Sequence, residues 1–350
     1  MANENRKLAS IQEIEKIEPI KKADKLEVAT VLGWQVVVEK GKFKPKDKVI
    51  FFEIDSFLPI REEFEFLRDS SYKNNPLNGE GFRLRTIKLR GQISQGLIVP
   101  VGEYKDLPVG TDLTEELGVK VYQDAEYGDT NTGTTIKRFH PLINKTDEIR
   151  VQSEPKRMDA LQGKPYYISE KVDGQSITIS YAKEEGIRLF TRNVEIKRED
   201  GGPIWQYFEN LGLPQAMEIN DKDIYLQGEL YGPGIQGNPL KKDKLDWLYF
   251  NLGTIDTENK SSNRVPYEEW NKFFEENKDL IQFKDKHVKI LEEGDFFSYN
   301  LKELKEKTKG NYDNAGQREG IVIRPKGNVV FKQQPLSMKV INEKYLLKEK

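Results

Sequence analysis

Between Tyr166 and Asn342 the chain repeats one pattern: a short apolar run of strand length that carries a charged or aromatic residue and closes on a turn former. The runs are YYISEK (166–171), SITIS (176–180), LFTRN (189–193), YLQGELYG (225–232), LYFNLGTID (248–256), REGIVIRP (318–325) and LSMKVIN (336–342). Such alternation marks half-buried strands. Three stretches of helical spacing fall between them, IWQYFENLG at 204–212, PYEEWNKFFEENKDLI at 266–281 and DFFSYNLKELKEKTKG at 295–310. A mixed α+β domain of largely antiparallel character is expected. Trp270, Phe273 and Phe274 belong in its core.

The first half reads differently. From Leu26 to about Val101 short strands are punctuated by Gly, Lys-Pro and Asn, as in LEVATVLGWQVVVEKG, KVIFFEID and FRLRTIKLRGQISQGLIVPV. That density suits a small all-β barrel of the oligonucleotide/oligosaccharide-binding (OB) type. In Phe82–Arg90 the apolar parity slips, which predicts a bulge near Thr86. Arg83, Arg85, Lys88 and Arg90 can track a phosphate backbone or simply face water. Residues 121–145 are polar and without period and read as a linker. The expected division is 1–120, 121–145 and 146–350.

Composition removes whole classes of chemistry. Zero cysteines exclude disulfides and thiolate metal sites. The only two histidines, His140 and His287, leave almost no material for a zinc site or histidine acid–base catalysis. Carboxylates and lysines must act, and any metal is a hard ion with oxygen ligands, Mg2+ or Mn2+. A net charge of −2 is unlike a general nucleic-acid coat, and the charge-rich stretches 40–48, 284–294 and 302–309 read as solvated faces. With no membrane-length apolar run and no apolar core in MANENRKLASIQ, an intracellular soluble protein, monomeric, is expected.

The chemistry centres on Glu170-Lys171-Val172-Asp173-Gly174. A lysine attacks phosphorus only as the free amine, so its neighbours must lower its pKa. The aromatic and apolar flanks of Lys171 supply burial. Glu170 and Asp173 oppose it, a conflict that a divalent ion relieves, and Gly174 lets a nucleotide approach the backbone. Glu229 and Glu319 stand at strand ends where they can hold a hydrated metal or a ribose, or serve as ordinary strand-end residues. Lys339 would bring a cation to the same sheet, and Phe250, Ile321 and Ile323 offer apolar faces for a purine.

The order of these motifs resembles that of the covalent nucleotidyltransferases, which comprise ATP-dependent ligases and capping enzymes. The barrel segments EVATVLGWQVVVEKG and VIFFEIDSFLP, placed before the lysine motif, are similar to RNA ligases of the Deinococcus and Naegleria type; DNA ligases and capping enzymes usually carry their barrel after the last motif. The resemblance implies an α+β nucleotidyltransferase (ATP-grasp-like ligase) domain preceded by an all-β OB-type barrel. It implies an enzyme that uses ATP and Mg2+ or Mn2+ to join RNA 3′-OH and 5′-phosphate ends, at nicks in duplexes, through a lysyl-adenylate on Lys171. Glu170, Asp173, Gly174, Arg150, Arg192, Asn193, Glu229, Phe250, Ile321, Glu319 and Lys339 would bind the nucleotide. Asp173, Glu229 and Glu319 would hold the metal through waters. One departure stands out: the last motif, often lysine-x-lysine, reads Ser337-Met338-Lys339, so the first contact passes to Ser337 or Lys332. An mRNA guanylyltransferase, a DNA ligase and a non-catalytic OB protein are the rival readings.

Overall fold

The computed structural model describes residues 6–21, 23–123, 139–145, 148–198, 202–313 and 315–347. Two compact units emerge. One comprises Met1–Ala125, Arg150–Pro155 and Glu343–Lys350, the other Glu126–Ile149 and Lys156–Asn342.

The first unit is antiparallel β. Trp34–Glu39 shows why: Trp34, Val36 and Val38 are buried while their alternate neighbours are not, the period of a half-buried strand. This strand closes a three-stranded sheet with Lys16–Pro19 and Leu26–Val31. A second three-stranded sheet sets Lys48–Phe52 between Ala9–Glu13 and Leu97–Pro100. Ile11, Ile50, Phe52, Leu58, Phe64 and Phe82 pack together as the core. The parity slip has a different cause from the expected bulge. The strand Gly79–Arg83 ends, Leu84 and Arg85 belong to no strand, and Thr86–Leu89 starts a separate hairpin with Gln92–Gln95. The chain changes sheets there, which resets which side chains face inward.

Two large antiparallel sheets dominate the second unit, beside a short hairpin of Val330–Phe331 and Gln334–Pro335. One orders Ile290–Gly294, Tyr166–Lys171, Gly320–Pro325 and Met338–Ile341; the other orders Glu195–Ile196, Gly186–Phe190, Gln175–Ala182, Ile224–Tyr231, Asp246–Asp256 and Ser261–Arg264. Ile177, Ile179, Leu226 and Leu230 point from the six-stranded sheet into a core filled by Trp205, Phe208, Met217 and Trp247. Trp270, Phe273 and Phe274 are buried there too. The opposite face therefore carries the polar alternates Ser176, Thr178, Gln227 and Glu229. Two of the three expected helices are shorter than the apolar pattern suggests: Trp270–Glu276 and Leu301–Lys307. The latter starts late because Asn300 and Glu303 form a reciprocal capping box. Of the expected linker, residues 124–138 lie outside the described residues. Its end packs on the second unit, with Ile143 against Tyr225 and Ile255.

Candidate active site

Lys171 ends a central strand of the four-stranded sheet, paired on one side with Gly320–Pro325. Residues directly opposite in an antiparallel pair share a face. Lys171 lies opposite Gly320, Ser169 opposite Val322, Tyr167 opposite Arg324, and Val322 opposite Lys339. Lys171, Val322, Arg324 and Lys339 thus occupy one face. Glu170, Ile321 and Ile323 occupy the other.

This register corrects two expectations. Ile321 and Ile323 are wholly buried on the face opposite Lys171, and Val322 is the residue of this strand that shares the Lys171 face. Glu170 points away from the Lys171 amine towards Arg318, 3.4 Å from its carboxylate. Arg318 attracts it, but burial is the larger effect and raises the Glu170 carboxyl above its usual range.

Of the two neighbouring carboxylates only Asp173 acts on Lys171, joined by Glu319 and Glu229 from other segments. Its ammonium lies 2.7 Å from Glu319, the residue just before the neighbouring strand. Burial pulls the Lys171 amine down, yet the charges of Glu319, Glu229 and Asp173 and the Glu319 hydrogen bond outweigh it, so the amine is held protonated above its ordinary value. Glu229 pays for the crowding. Burial first, then the charges of Glu319 and Asp173, push its carboxyl up to about 8 against the attraction of Lys171.

Gly174 has a structural reason of its own. A Cβ there would collide with the carbonyl oxygen of Leu230 and lie 3.1 Å from Glu229 Cγ, so glycine lets the chain after Lys171 close against the Glu229 strand. Its backbone N–H also hydrogen-bonds to the Glu229 carboxylate. Phe250 is the extra residue of a bulge, where the register shifts from Gln227 opposite Asn251 to Gly228 opposite Tyr249. It packs with Val172, Tyr231, Leu240 and Tyr312 beside the lysine segment. Arg324 fixes its backbone, donating to the Phe250 carbonyl at 2.8 Å.

Sequence reasoning missed Tyr312. Its hydroxyl donates to the Lys171 carbonyl at 2.8 Å and accepts from the Glu319 N–H at 3.1 Å, tying nucleophile and carboxylate together. Tyr312 lies in a polar loop without period, so no pattern singled it out.

A lysine at a strand end thus lies in the field of Asp173, Glu229 and Glu319, of which Glu319 pairs with it directly. A family model described as RNA ligase matches residues 164–341, and one described as an OB-fold domain matches residues 8–101. The chain belongs to the RNA ligase family. Solved structures of the Naegleria gruberi RNA ligase resemble it over nearly the full length. A lysine-to-alanine mutant solved with ATP and Mn is 29% identical, covers 98% of this chain and 99% of its own, and has a TM-score of 0.83. The same enzyme with PPi is 29% identical, with 98% of each chain covered and a TM-score of 0.81. No curated protein matches. An OB fold at the N-terminus followed by a nucleotidyltransferase domain is therefore the architecture of this ligase.

The remaining expected residues of this RNA ligase are placed as follows. Ser337, which stands where the family often has lysine, is committed elsewhere. Its hydroxyl donates to Glu148 and accepts from Arg324 Nε at 3.1 Å, so it is part of a buried cluster. Lys332 lies in a hairpin turn with its ammonium 5.5 Å from the Phe331 ring. Arg192 and Asn193 form a turn held by Thr191, whose hydroxyl accepts from the Val194 N–H at 3.2 Å, and Lys145 donates to the Asn193 side chain at 2.9 Å. Arg150 belongs to the first unit, where it pairs with Asp55 at 2.9 Å and lies 5.8 Å from the Trp34 ring. Of the cations expected in the OB unit, Arg83 and Arg85 line a groove of about 740 Å3 together with Phe66, Ile87 and Leu89. Lys88, alternating with Ile87 and Leu89, and Arg90, in the hairpin turn, do not line it.

The donor set suits a divalent cation. Three carboxylates face a single ammonium, and burial, followed by the charges of the other two, pushes Glu229 up to about 8. Among the described residues no group of three or more carboxylate or imidazole side chains converges closely enough to hold an ion directly. Waters must therefore complete any such site. No helix among the described residues is long and apolar enough to cross a membrane.

Proposed function

We propose that this RNA ligase is ATP-dependent and joins an RNA 3′-OH to a 5′-phosphate, at nicks in duplexes, through a lysyl-adenylate on Lys171. The observation that carries the reading is the Lys171 amine 2.7 Å from Glu319 and within the field of Glu229 and Asp173. The relatives solved with ATP, AMP and Mn support it.

Lys171 gives up a proton, for which Glu319 is the adjacent acceptor, and its free amine attacks the α-phosphorus of ATP. A P–N bond forms, a P–O bond breaks, and pyrophosphate leaves with the electron pair. A 5′-phosphate oxygen then attacks the same phosphorus, breaking the P–N bond and freeing Lys171. Finally the 3′-OH, losing its proton, attacks the 5′-phosphorus and AMP departs. Each step is an in-line phosphoryl transfer that rests on positioning and charge. Mg2+ or Mn2+, when bound through waters to Asp173, Glu229 and Glu319, supplies the positive charge that lets the lysine lose its proton. Val322 and Phe250 bound the space for the base, Lys339 brings a cation to the same face, and Arg192 and Asn193 receive the ribose and the 5′-phosphate end. The OB fold grips RNA through phosphates.

Incubation with α-labelled ATP and Mg2+ or Mn2+ leaves label on the denatured protein, and Lys171→Ala abolishes it. Label that survives in Lys171→Ala, or that comes from GTP in preference to ATP, overturns the reading. Nicked duplexes with RNA or DNA placed separately on each side of the nick then define the substrate.

A further inference from the structure

The segment 232–245 leaves the Glu229 strand and returns to the sheet at Asp246, and its sequence GPGIQGNPLKKDKL looks like a flexible surface excursion. The structure ties it down at its neck and within the loop. Its neck is closed by the pairing of Tyr231 with Asp246, and the Asp246 carboxylate accepts from Tyr231 at 2.9 Å, Tyr207 at 3.2 Å and Lys286 at 2.7 Å. Inside it, the Asn238 side chain closes a tight turn in both directions, donating to the Lys242 carbonyl at 2.8 Å and accepting from the Lys242 N–H at 3.0 Å. Gln236, Asn238 and Lys241 all adopt left-handed backbone, with φ of 45°, 55° and 51°. Conformations of this kind cost energy and persist only where surrounding contacts impose them.

Those contacts tie the loop to the nucleophile. Leu240 is buried in the same cluster as Val172, the residue after Lys171, and Tyr312, which bonds the Lys171 carbonyl. The Pro239 carbonyl accepts from the Gly316 N–H at 3.2 Å, on the approach to Glu319. With its apolar anchor inward, the loop presents Lys241, Lys242 and Lys244 to solvent. None of the three has a carboxylate partner among the described residues, whereas Lys183, Lys289 and Lys309 each pair with one at 2.8 Å or less. Asp243 alone offsets them, which leaves the segment at +2. An ordinary solvated loop has no need of strained, anchored backbone. Exposed lysines without carboxylate partners, carried on a loop whose apolar anchor packs with the residue after Lys171, match the phosphates of a polynucleotide.

We infer that the loop 232–245 is a second RNA-binding element, in which Lys241, Lys242 and Lys244 contact backbone phosphates beside the reacting end. The inference rests on the RNA-joining reading and names where that substrate is held. It is distinct from the OB groove, because these lysines belong to the nucleotidyltransferase unit.

The test replaces Lys241, Lys242 and Lys244 together by alanine, with a parallel triple arginine variant. Binding of a 5′-phosphorylated nicked RNA duplex is followed by fluorescence anisotropy across a salt series. The alanine variant should bind at least tenfold more weakly, and its log Kd against log salt slope should fall by about 2–3 units, at about 0.9 per lost phosphate contact. Arginine should restore both. Lysyl-adenylate formation, which needs no RNA, reports the integrity of the anchor, and sealing should fall in line with affinity. An unchanged affinity and slope, or a loss of adenylate equal to the loss of sealing, overturns the inference. A wild-type protein that binds duplex through these lysines but forms no adenylate would instead sink the catalytic reading alone.

Discussion

Lys171 and Glu319 are 148 positions apart in the chain, and their charged groups are 2.7 Å apart. The pairing of Lys171 with Gly320 across adjacent strands puts them there, and the Tyr312 hydroxyl bonds the backbone of both. The ion pair favours the protonated amine, so the proton must leave before the nitrogen can attack phosphorus.

Adenylylation should therefore rise with pH across the neutral and mildly alkaline range. Glu319→Gln removes the largest influence that raises the Lys171 pKa, so its pH–rate curve should move to lower pH, while the rate itself falls by about 100-fold with the loss of charge at the metal. Single-turnover labelling at saturating ATP and Mn2+ measures both. A curve that stays in place removes Glu319 from control of the lysine proton.

Glu229 is predicted to act on stability in the opposite direction to most carboxylates. Its folded pKa of about 8 lies above the ordinary 4.5, so the folded protein binds this proton more tightly than the unfolded chain. That contribution is complete below about pH 4.5 and is lost as pH rises to about 8. In metal-free buffer Glu229→Gln should raise Tm at pH 8 to 9, by about 2–4 °C for each kcal/mol recovered, and change it little near pH 5. Equal effects at both pH values would contradict the raised pKa. Adenylylation by Glu229→Ala should fall by about 100-fold.

Tyr312→Phe keeps the ring in its cluster and deletes only the hydroxyl. The Lys171 carbonyl and the Glu319 N–H lose a partner, at a cost of about 1–3 kcal/mol, and adenylylation should drop by about tenfold with the fold intact by circular dichroism. Wild-type rates would make the tyrosine a packing residue.

Ile321 and Val322 should respond in separate ways. Ile321→Ala empties a fully buried site and should cost about 2–5 kcal/mol of stability with little change in the KM for ATP. Val322→Ala should raise that KM several-fold at a smaller stability cost. Reversed outcomes would place the base on the other face of the sheet.

In the OB unit, alanine at Arg83 and Arg85 should weaken nicked-duplex binding and lower its salt slope by about 2 units, because both line the groove. Alanine at Lys88 and Arg90 should change the slope less. A larger effect from the second pair would move the RNA path out of the groove.

The sequence alone carried the strand segments, the split into a β-rich first half and an α+β second half, and the order of the motifs. Those are local properties: alternation is written into each run, and Lys171, Asp173 and Glu319 sit in short strings whose chemistry is recognisable. Register and partner choice are not local. Whether Ile321 or Val322 faces Lys171 depends on one residue of offset between strands about 150 positions apart, and a single-residue slip exchanges the faces. The partner of Glu170, the commitment of Ser337 to Glu148 and Arg324, and the role of Tyr312 follow from side chains that meet only after the sheets have paired. The loop 232–245 belongs to the same division: no local pattern in it points to the site, and only the tertiary structure buries Leu240 in one cluster with Val172 and Tyr312.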